Sequence, residues 1–321
     1  MTPDERLVEA VLASNDAVVA DLISQGADPN AQDLSGRTPV SLAAETGAVG
    51  CLRVLLGAGG SPDVGDVKGD SAVSYAASTG MDECMRLLLD AGGDRDKVGD
   101  AGRSALMRAV LGGHQRCVRA LVSRAGSCDV NAADDDGVTP LMLACAGGHD
   151  AVVNMLLKER CDVMRVDKAG RSALFRAACV AGSEECSRAL LAASADSFAC
   201  PVEGKTMAEV AGKKSAACKL MLEDSISREG AGKRLLEACE AGRVAAVVAM
   251  LDGGAPIDFV DDDGWSGLHF AAAEGTPELC ELLMGRGLKA DTKAGDGETP
   301  LDLAEEEEHE EAVAALKASL E

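Results

Sequence analysis

The stretch Gly137–Val163, GVTPLMLACAGGHDAVVNMLLKERCDV, decides the fold. It sets Thr139 and Pro140 before a run of small and aliphatic residues, breaks at Gly147 and Gly148, and continues into a leucine-rich segment. It also brings Cys145, His149 and Asp150 within six positions, which raises the question of a reactive cluster. A nucleophile and a base would have to meet within hydrogen-bond reach in a cleft. The test is whether other stretches carry the same frame without these side chains.

They do. GRTPVSLAAETGAVGCLRVLL starts at Gly36, GDSAVSYAASTGMDECMRLLL at Gly69 and GRSALMRAVLGGHQRCVRALV at Gly102, so the leading glycines lie 33 residues apart. The frame returns at Gly170, Gly264 and Gly297. Cys145 takes the small-residue place held by Ala44 and Ala77, and His149 follows the interhelix glycine, where it is expected to cap a backbone group. The cluster therefore reads as structure.

Each copy predicts two short helices: a Thr or Ser N-cap, often with Pro as first helical residue, a small-residue helix, a glycine break and a leucine-rich helix. A loop rich in Asp, Gly and Asn leads to the next copy. Neither helix can bury its apolar face alone, so the copies must stack around one shared core. The 47% hydrophobic content supports such a core, and its bias to Ala, Leu and Val, with one Trp, one Tyr and four Phe, suits closely approaching helices. The fold class expected is all-α, a helical repeat solenoid of about ten helix-turn-helix units.

The segments TPLMLACAGGH, SGLHFAAAEG and LISQGADPN resemble the ankyrin-repeat signature. The resemblance implies L-shaped units whose loops project as turn or hairpin fingers, with the first helices lining a concave face. It also implies that the hairpin asparagines Asn30 and Asn131 can be substrates for hydroxylation in that family, although a turn-forming role is the simpler expectation.

Departures from the frame suggest the domain organisation. The first unit lacks the Thr-Pro start and reads as a polar cap. The unit from Gly102 is two residues longer, in SRAGSCDVN, and the one from Gly170 has an extra residue in AACVAGS. From Gly204 to Gly264 the interval is 60 residues instead of 66, and it contains the Ser- and Gly-rich stretch SISREGAGK. The expected organisation is an array of about seven units over 1–223, a joint at 224–232, and a second array of about three units over 233–321. Glu305–Glu308 close the chain as a solvated end cap or, on a sharper reading, as an acidic docking tail.

Charge and motifs exclude several functions. A net charge of −23 opposes phosphate backbones, so nucleic acid is not an expected partner. The N-terminus MTPDERLVEA is acidic, and no segment approaches eighteen uninterrupted apolar residues, so neither export nor membrane insertion is expected, and the location expected is cytoplasmic. The twelve cysteines include no C-x2-C pair, and Cys51, Cys84, Cys117 and Cys186 form one column on the second helices, farther apart than a disulfide spans. GAGGS at Gly57–Ser61 lacks the Lys-Ser or Lys-Thr of a phosphate loop and reads as a helix C-cap. No cofactor, metal or catalytic residue is assigned.

Binding is expected on the column between loop glycine and helix cap: Arg37, Asp70, Arg103, Val138, Arg171, Lys205, Trp265 and Glu298. The ankyrin resemblance implies that this column faces the concave side. It is unexpectedly basic in a chain with 54 acids and 31 bases, and Arg108 and Arg176 lie five residues further along two of the same units. These arginines would either attract an acidic segment or pair with fingertip aspartates such as Asp134–Asp136. Trp265 adds a residue type enriched in binding hot spots. The functional expectation is a non-catalytic scaffold or adaptor that holds a protein partner along the concave face; the alternative is a structural spacer in a large assembly.

Overall fold

The computed structural model describes all residues except 1, 123–127, 194, 198–201, 203–204 and 320–321. The two-residue extension after Gly102, the start of the weak copy at Gly204 and Cys200 fall wholly or partly outside the described residues. Among the described residues the structure is helical, with only isolated bridges such as Val260 to Ser266 between extended residues. The helices fall into ten pairs, from Pro3–Leu12 with Asp16–Ser24 to Pro300–Glu306 with Glu310–Ala318.

The expected caps are present. Thr38, Thr139, Ser172 and Thr299 each accept from the backbone amide three residues on, and Thr38 and Thr299 do so within reciprocal capping boxes. In seven pairs the first helix gives way to a left-handed glycine that turns the chain into the second: Gly47, Gly80, Gly113, Gly148, Gly182, Gly242 and Gly275; after Met207–Ala211 the cap Gly212 stays right-handed. In the terminal copies Ser14 and Glu308 take that conformation instead, at φ 52° and 60°. A side chain there costs about 1–2 kcal/mol. The extra residue of AACVAGS is absorbed as a single π-turn, Arg176–Ala181, so that the Ser183 amide donates six residues back to Ala177, where the Ala48 amide donates only five back to Ala43.

The chain forms two compact units, residues 1–162 with 166–168, and residues 163–165 with 169–321. In the first, the core runs from Leu7 and Leu22 through Leu52, Met85, Leu106 and Leu121 to Leu141 and Leu156, all essentially inaccessible. Ala43, Ala76, Ala109 and Ala144 fill one position of successive first helices at 0% exposure. Their small side chains let neighbouring pairs approach closely. The core of the second unit is built from Leu235, Val247, Leu268, Leu279, Leu283 and Leu316.

The 224–232 stretch lies inside the second unit and is helical on both sides of Ser227. Ser227 caps the helix Arg228–Glu240, accepting from the Gly230 amide. Gly232 is a packing residue: a Cβ there would collide with the ring of Phe259. A further tie is Arg234, which is 8% exposed and donates to the Ser197 hydroxyl at 2.8 Å, the Ser225 carbonyl at 3.3 Å and the Ala195 carbonyl.

Successive copies of the first unit are linked by a repeated side-chain bond. The Asn30, Asp63, Asp96 and Asn131 side-chain oxygens accept from the amides of Ser61, Asp94, Asp129 and Asp162, at 2.7, 2.8, 3.0 and 2.8 Å. Asn131 therefore reaches the following copy with its side chain, while its own amide donates to Asp129 at 2.8 Å. Because Asp63 and Asp96 do the same with a carboxylate, Asn131→Asp is expected to leave stability within ~0.5 kcal/mol of the parent. Asn131→Ala is expected to lose about 1 kcal/mol in urea unfolding; equal losses in both variants would show that the bond contributes nothing.

Candidate protein-binding face

Four of the fingers are tight turns closed by an aspartate. Asp33 Oδ1 accepts from the amides of Ser35 and Arg37 at 2.8 and 2.9 Å, Asp66 from Lys68 and Asp70, Asp134 from Asp136 and Val138, and Asp261 from Asp263 and Trp265. The turn presents the next column residue at its base. Neighbouring fingers share one backbone bond, as from the Val67 amide to Ser35 and from the Gly295 amide to Asp263.

The second carboxylate oxygen of the aspartate decides what the column does. Asp33 Oδ2 pairs with Arg37 at 3.2 Å, and Arg37 also reaches Glu45 at 3.6 Å. Asp134 pairs with Arg103 of the preceding copy at 3.6 Å. Asp66 Oδ2 instead accepts from the Tyr75 hydroxyl at 2.7 Å. Burial opposes ionisation of Asp66, but bonds from Tyr75, Asp70 and Lys68 outweigh it and hold its pKa below the usual value, while burial and the bond to Asp66 push the Tyr75 phenol up.

Two of the described fingers lack the aspartate, carrying Gly99 and Ala294 in its place, and at Gly99 the neighbouring finger answers the gap. Asp70 of the previous finger fills the space: it accepts from the Asp100 amide at 3.2 Å and pairs with Arg108. A Cβ at Gly99 would collide with the Asp70 carboxylate. Burial raises the Asp70 pKa against the pull of Arg108, which marks a buried pair that fixes geometry at a desolvation cost.

The expected column is thus only partly open. Asp70 and Val138 are 7% and 6% exposed and offer no contact surface. Arg37 and Arg103 remain about a third exposed but are held by acids, and Arg108 is closed down on Asp70. Arg171 and Arg176 lie in the second unit, half-buried, and each has an interaction of its own. Trp265 is half-buried, with its ring 5.2 Å from Phe270 in an edge arrangement and 6.1 Å from His269 in a stacked one. The buried His269 accepts at Nδ1 from the Ser266 amide at 3.1 Å and contacts its hydroxyl at 2.8 Å; burial lowers its pKa and keeps the ring neutral.

The residues raised as a reactive cluster sit in the frame. Cys145 is fully buried on Pro140–Gly147, and His149 is the N-cap residue of Asp150–Lys158. The backbone-capping role expected of His149 is performed by its equivalents: His114 Nε2 lies 3.1 Å from the Ser78 carbonyl and His309 Nε2 3.0 Å from that of Ala273, each bridging to the previous copy. The eleven described cysteines are buried. Cys84 and Cys117 aim their thiols at the Ala43 and Ala76 carbonyls of the preceding copies, 3.9 Å away.

Helix pairs stacked through capped turns and linked fingers define a helical repeat solenoid of the kind used as a protein–protein interaction domain. The ankyrin-repeat family pattern matches in three copies, at residues 7–98, 91–167 and 235–320, and the chain belongs to that family. It is 29% identical over 201 residues to neurogenic locus notch homolog protein 1 of Homo sapiens, covering 55% of this chain and 8% of that protein. The Mus musculus protein of the same name is 30% identical over 200 residues. Protein phosphatase 1 regulatory subunit 27 of Mus musculus is 35% identical over 69 residues, which is 22% of this chain and 45% of the relative. The matched region thus spans less than half the length of these relatives. No helix among the described residues is long and apolar enough to cross a membrane.

Proposed function

We propose that the chain is a non-catalytic scaffold or adaptor that holds a protein partner along the face formed by the finger bases and first helices. The observation that carries this reading is that Arg37 and Arg103 are pinned by Asp33 and Asp134 yet remain about a third exposed. Side chains ordered before binding lose less freedom when a partner arrives. A partner carboxylate that shares or replaces the finger aspartate would meet a guanidinium already in place, and Trp265 supplies an aromatic contact in the second unit. A cytoplasmic location fits this role.

Cross-linking mass spectrometry on native material is the test: links confined to the finger bases and first helices support a scaffold, and links distributed over all faces indicate a spacer. Arg37→Gln with Arg103→Gln is expected to weaken capture of that partner about tenfold, or ~1.4 kcal/mol. The melting point should fall only modestly: the Arg37 pair is exposed enough to contribute only about 0–1 kcal/mol, and Asp134, whose side chain is 3% exposed, keeps its bonds from the Asp136 and Val138 amides when Arg103 is removed. Undiminished capture by this variant rejects the assignment of these arginines.

A further inference from the structure

The arginines of the first unit's binding face differ in how their donors are spent. Arg37 donates from Nε to Asp33 at 3.2 Å, and Arg108 donates to Asp70. Arg103 meets Asp134 at 3.6 Å, an ion-pair distance beyond hydrogen-bond reach, and its Nε finds no acceptor among the described residues. A guanidinium carries five N–H donors in a planar fork. Arg103 is therefore held in place by charge while its hydrogen-bonding capacity is left over. The same copy has a second feature that its own fold does not use. Leu111, the last residue of the helix Ala105–Leu111, is 54% exposed, where other copies place Glu45, Ser78 and Ala146. A single exposed leucine is ordinary on a surface. This one stands one turn beyond Arg108 on the same side of the helix, in the copy that carries the unspent Arg103.

We infer that this copy docks an extended acidic segment of a protein partner, with a carboxylate on Arg103 and a large aliphatic side chain on Leu111. The inference rests on the scaffold reading and names the chemistry of the partner that the face holds. A carboxylate takes two parallel bonds from a guanidinium, and Asp134 keeps its own turn bonds from Asp136 and Val138 while Arg103 turns its donors outward. Leu111 leaves water only against another apolar side chain. Arg103 and Leu111 are eight positions apart, roughly 12 Å at the rise of a helix. An extended chain covers that distance in about three to four residues, which sets the spacing of acid and aliphatic residue in the partner. With 54 acids against 31 bases, most of the surface repels an acidic segment, so such a segment settles only where an arginine is open to it.

The probe is the fluorescein-labelled peptide Gly-Ser-Asp-Ala-Ala-Leu-Gly-Ser, read by anisotropy against the full chain. Three companions carry asparagine for the aspartate, serine for the leucine, or the aspartate and leucine side by side. The parent peptide should bind saturably and shift the methyl NMR signals of Leu111, and each companion should bind at least fivefold more weakly. Arg103→Gln and Leu111→Ser should each weaken the parent peptide by a similar factor. Arg116→Gln, on the exposed side of the second helix Gln115–Val122, should leave it unchanged. Equal binding of all four peptides, an equal loss in the Arg116 variant, an unmoved Leu111 signal or no saturable binding would overturn the assignment. Such a failure leaves the scaffold reading to the cross-linking pattern, which does not depend on this peptide.

Discussion

Raising the pH from 8.5 to 10.5 is expected to unfold the first unit in a steep transition, because its buried thiols cannot ionise in place. Burial pushes the Cys84, Cys117, Cys128 and Cys161 pKa values up to about 11, with nearby acids such as Glu83 and Asp82 adding to the effect at Cys84. In the unfolded chain a thiol titrates near ~8.5. Below that pH both states hold the proton and the groups contribute no pH dependence. Above it the unfolded chain sheds protons that the native state keeps, so stability falls with rising pH until the native values are reached. Four such groups cost about 5 kcal/mol per pH unit, against a net stability of ~5–15 kcal/mol for a domain. The second unit carries Cys239 and Cys280, pushed up to about 12 and 11, and should follow at higher pH. A circular dichroism titration checks this, and Cys84→Ala with Cys117→Ala should flatten the slope by about half. A chain that stays folded to pH 10.5 would refute it.

Replacing Arg234 should have the second-largest effect. Its guanidinium serves Ala195, Ser197 and Ser225 from a buried position, and burial lowers its pKa, so the native state already bears a desolvation cost that these bonds offset. Arg234→Ala leaves buried acceptors unanswered and a void, at about 3 kcal/mol or more. Arg234→Met restores much of the volume but none of the donors and should still lose about 2 kcal/mol. Arg234→Lys keeps the charge on a single nitrogen and should fall between the parent and the Met variant. Urea unfolding followed by Trp265 emission reads the second unit directly. A Met variant as stable as the parent would show that the hydrogen bonds carry no net weight.

The sequence made the helix pairs legible because their signals are local: a Thr or Ser cap, a proline at the first helical position, and a glycine that alone turns left-handed without strain. It also supplied the column at the finger bases. It could not show which side chains remain open, since that depends on partners about 30 residues away, such as Asp134 for Arg103 or Asp70 for Arg108. The exchange at Gly99, where a missing aspartate is replaced by Asp70 of the preceding finger, would have been visible had the two positions been read as a pair. The local structure of the 224–232 stretch was hidden for a different reason. Serine and glycine in succession suggest a loop, but here Ser227 caps a helix and Gly232 admits the Phe259 ring.

The bond from Asn30, Asp63, Asp96 or Asn131 to the amide of the following copy runs one way only. Each of these four copies offers an acceptor forward, the inner ones are also met from behind, and the partners are alike along the row. Excising one whole copy therefore joins an offer to a need of the same kind, whereas excising part of one leaves an offer unmet. A gene for such a chain can be shortened or lengthened in whole steps without retuning the seam, so the row of small acceptors works as a standard coupling that lets length vary while each junction keeps its fit.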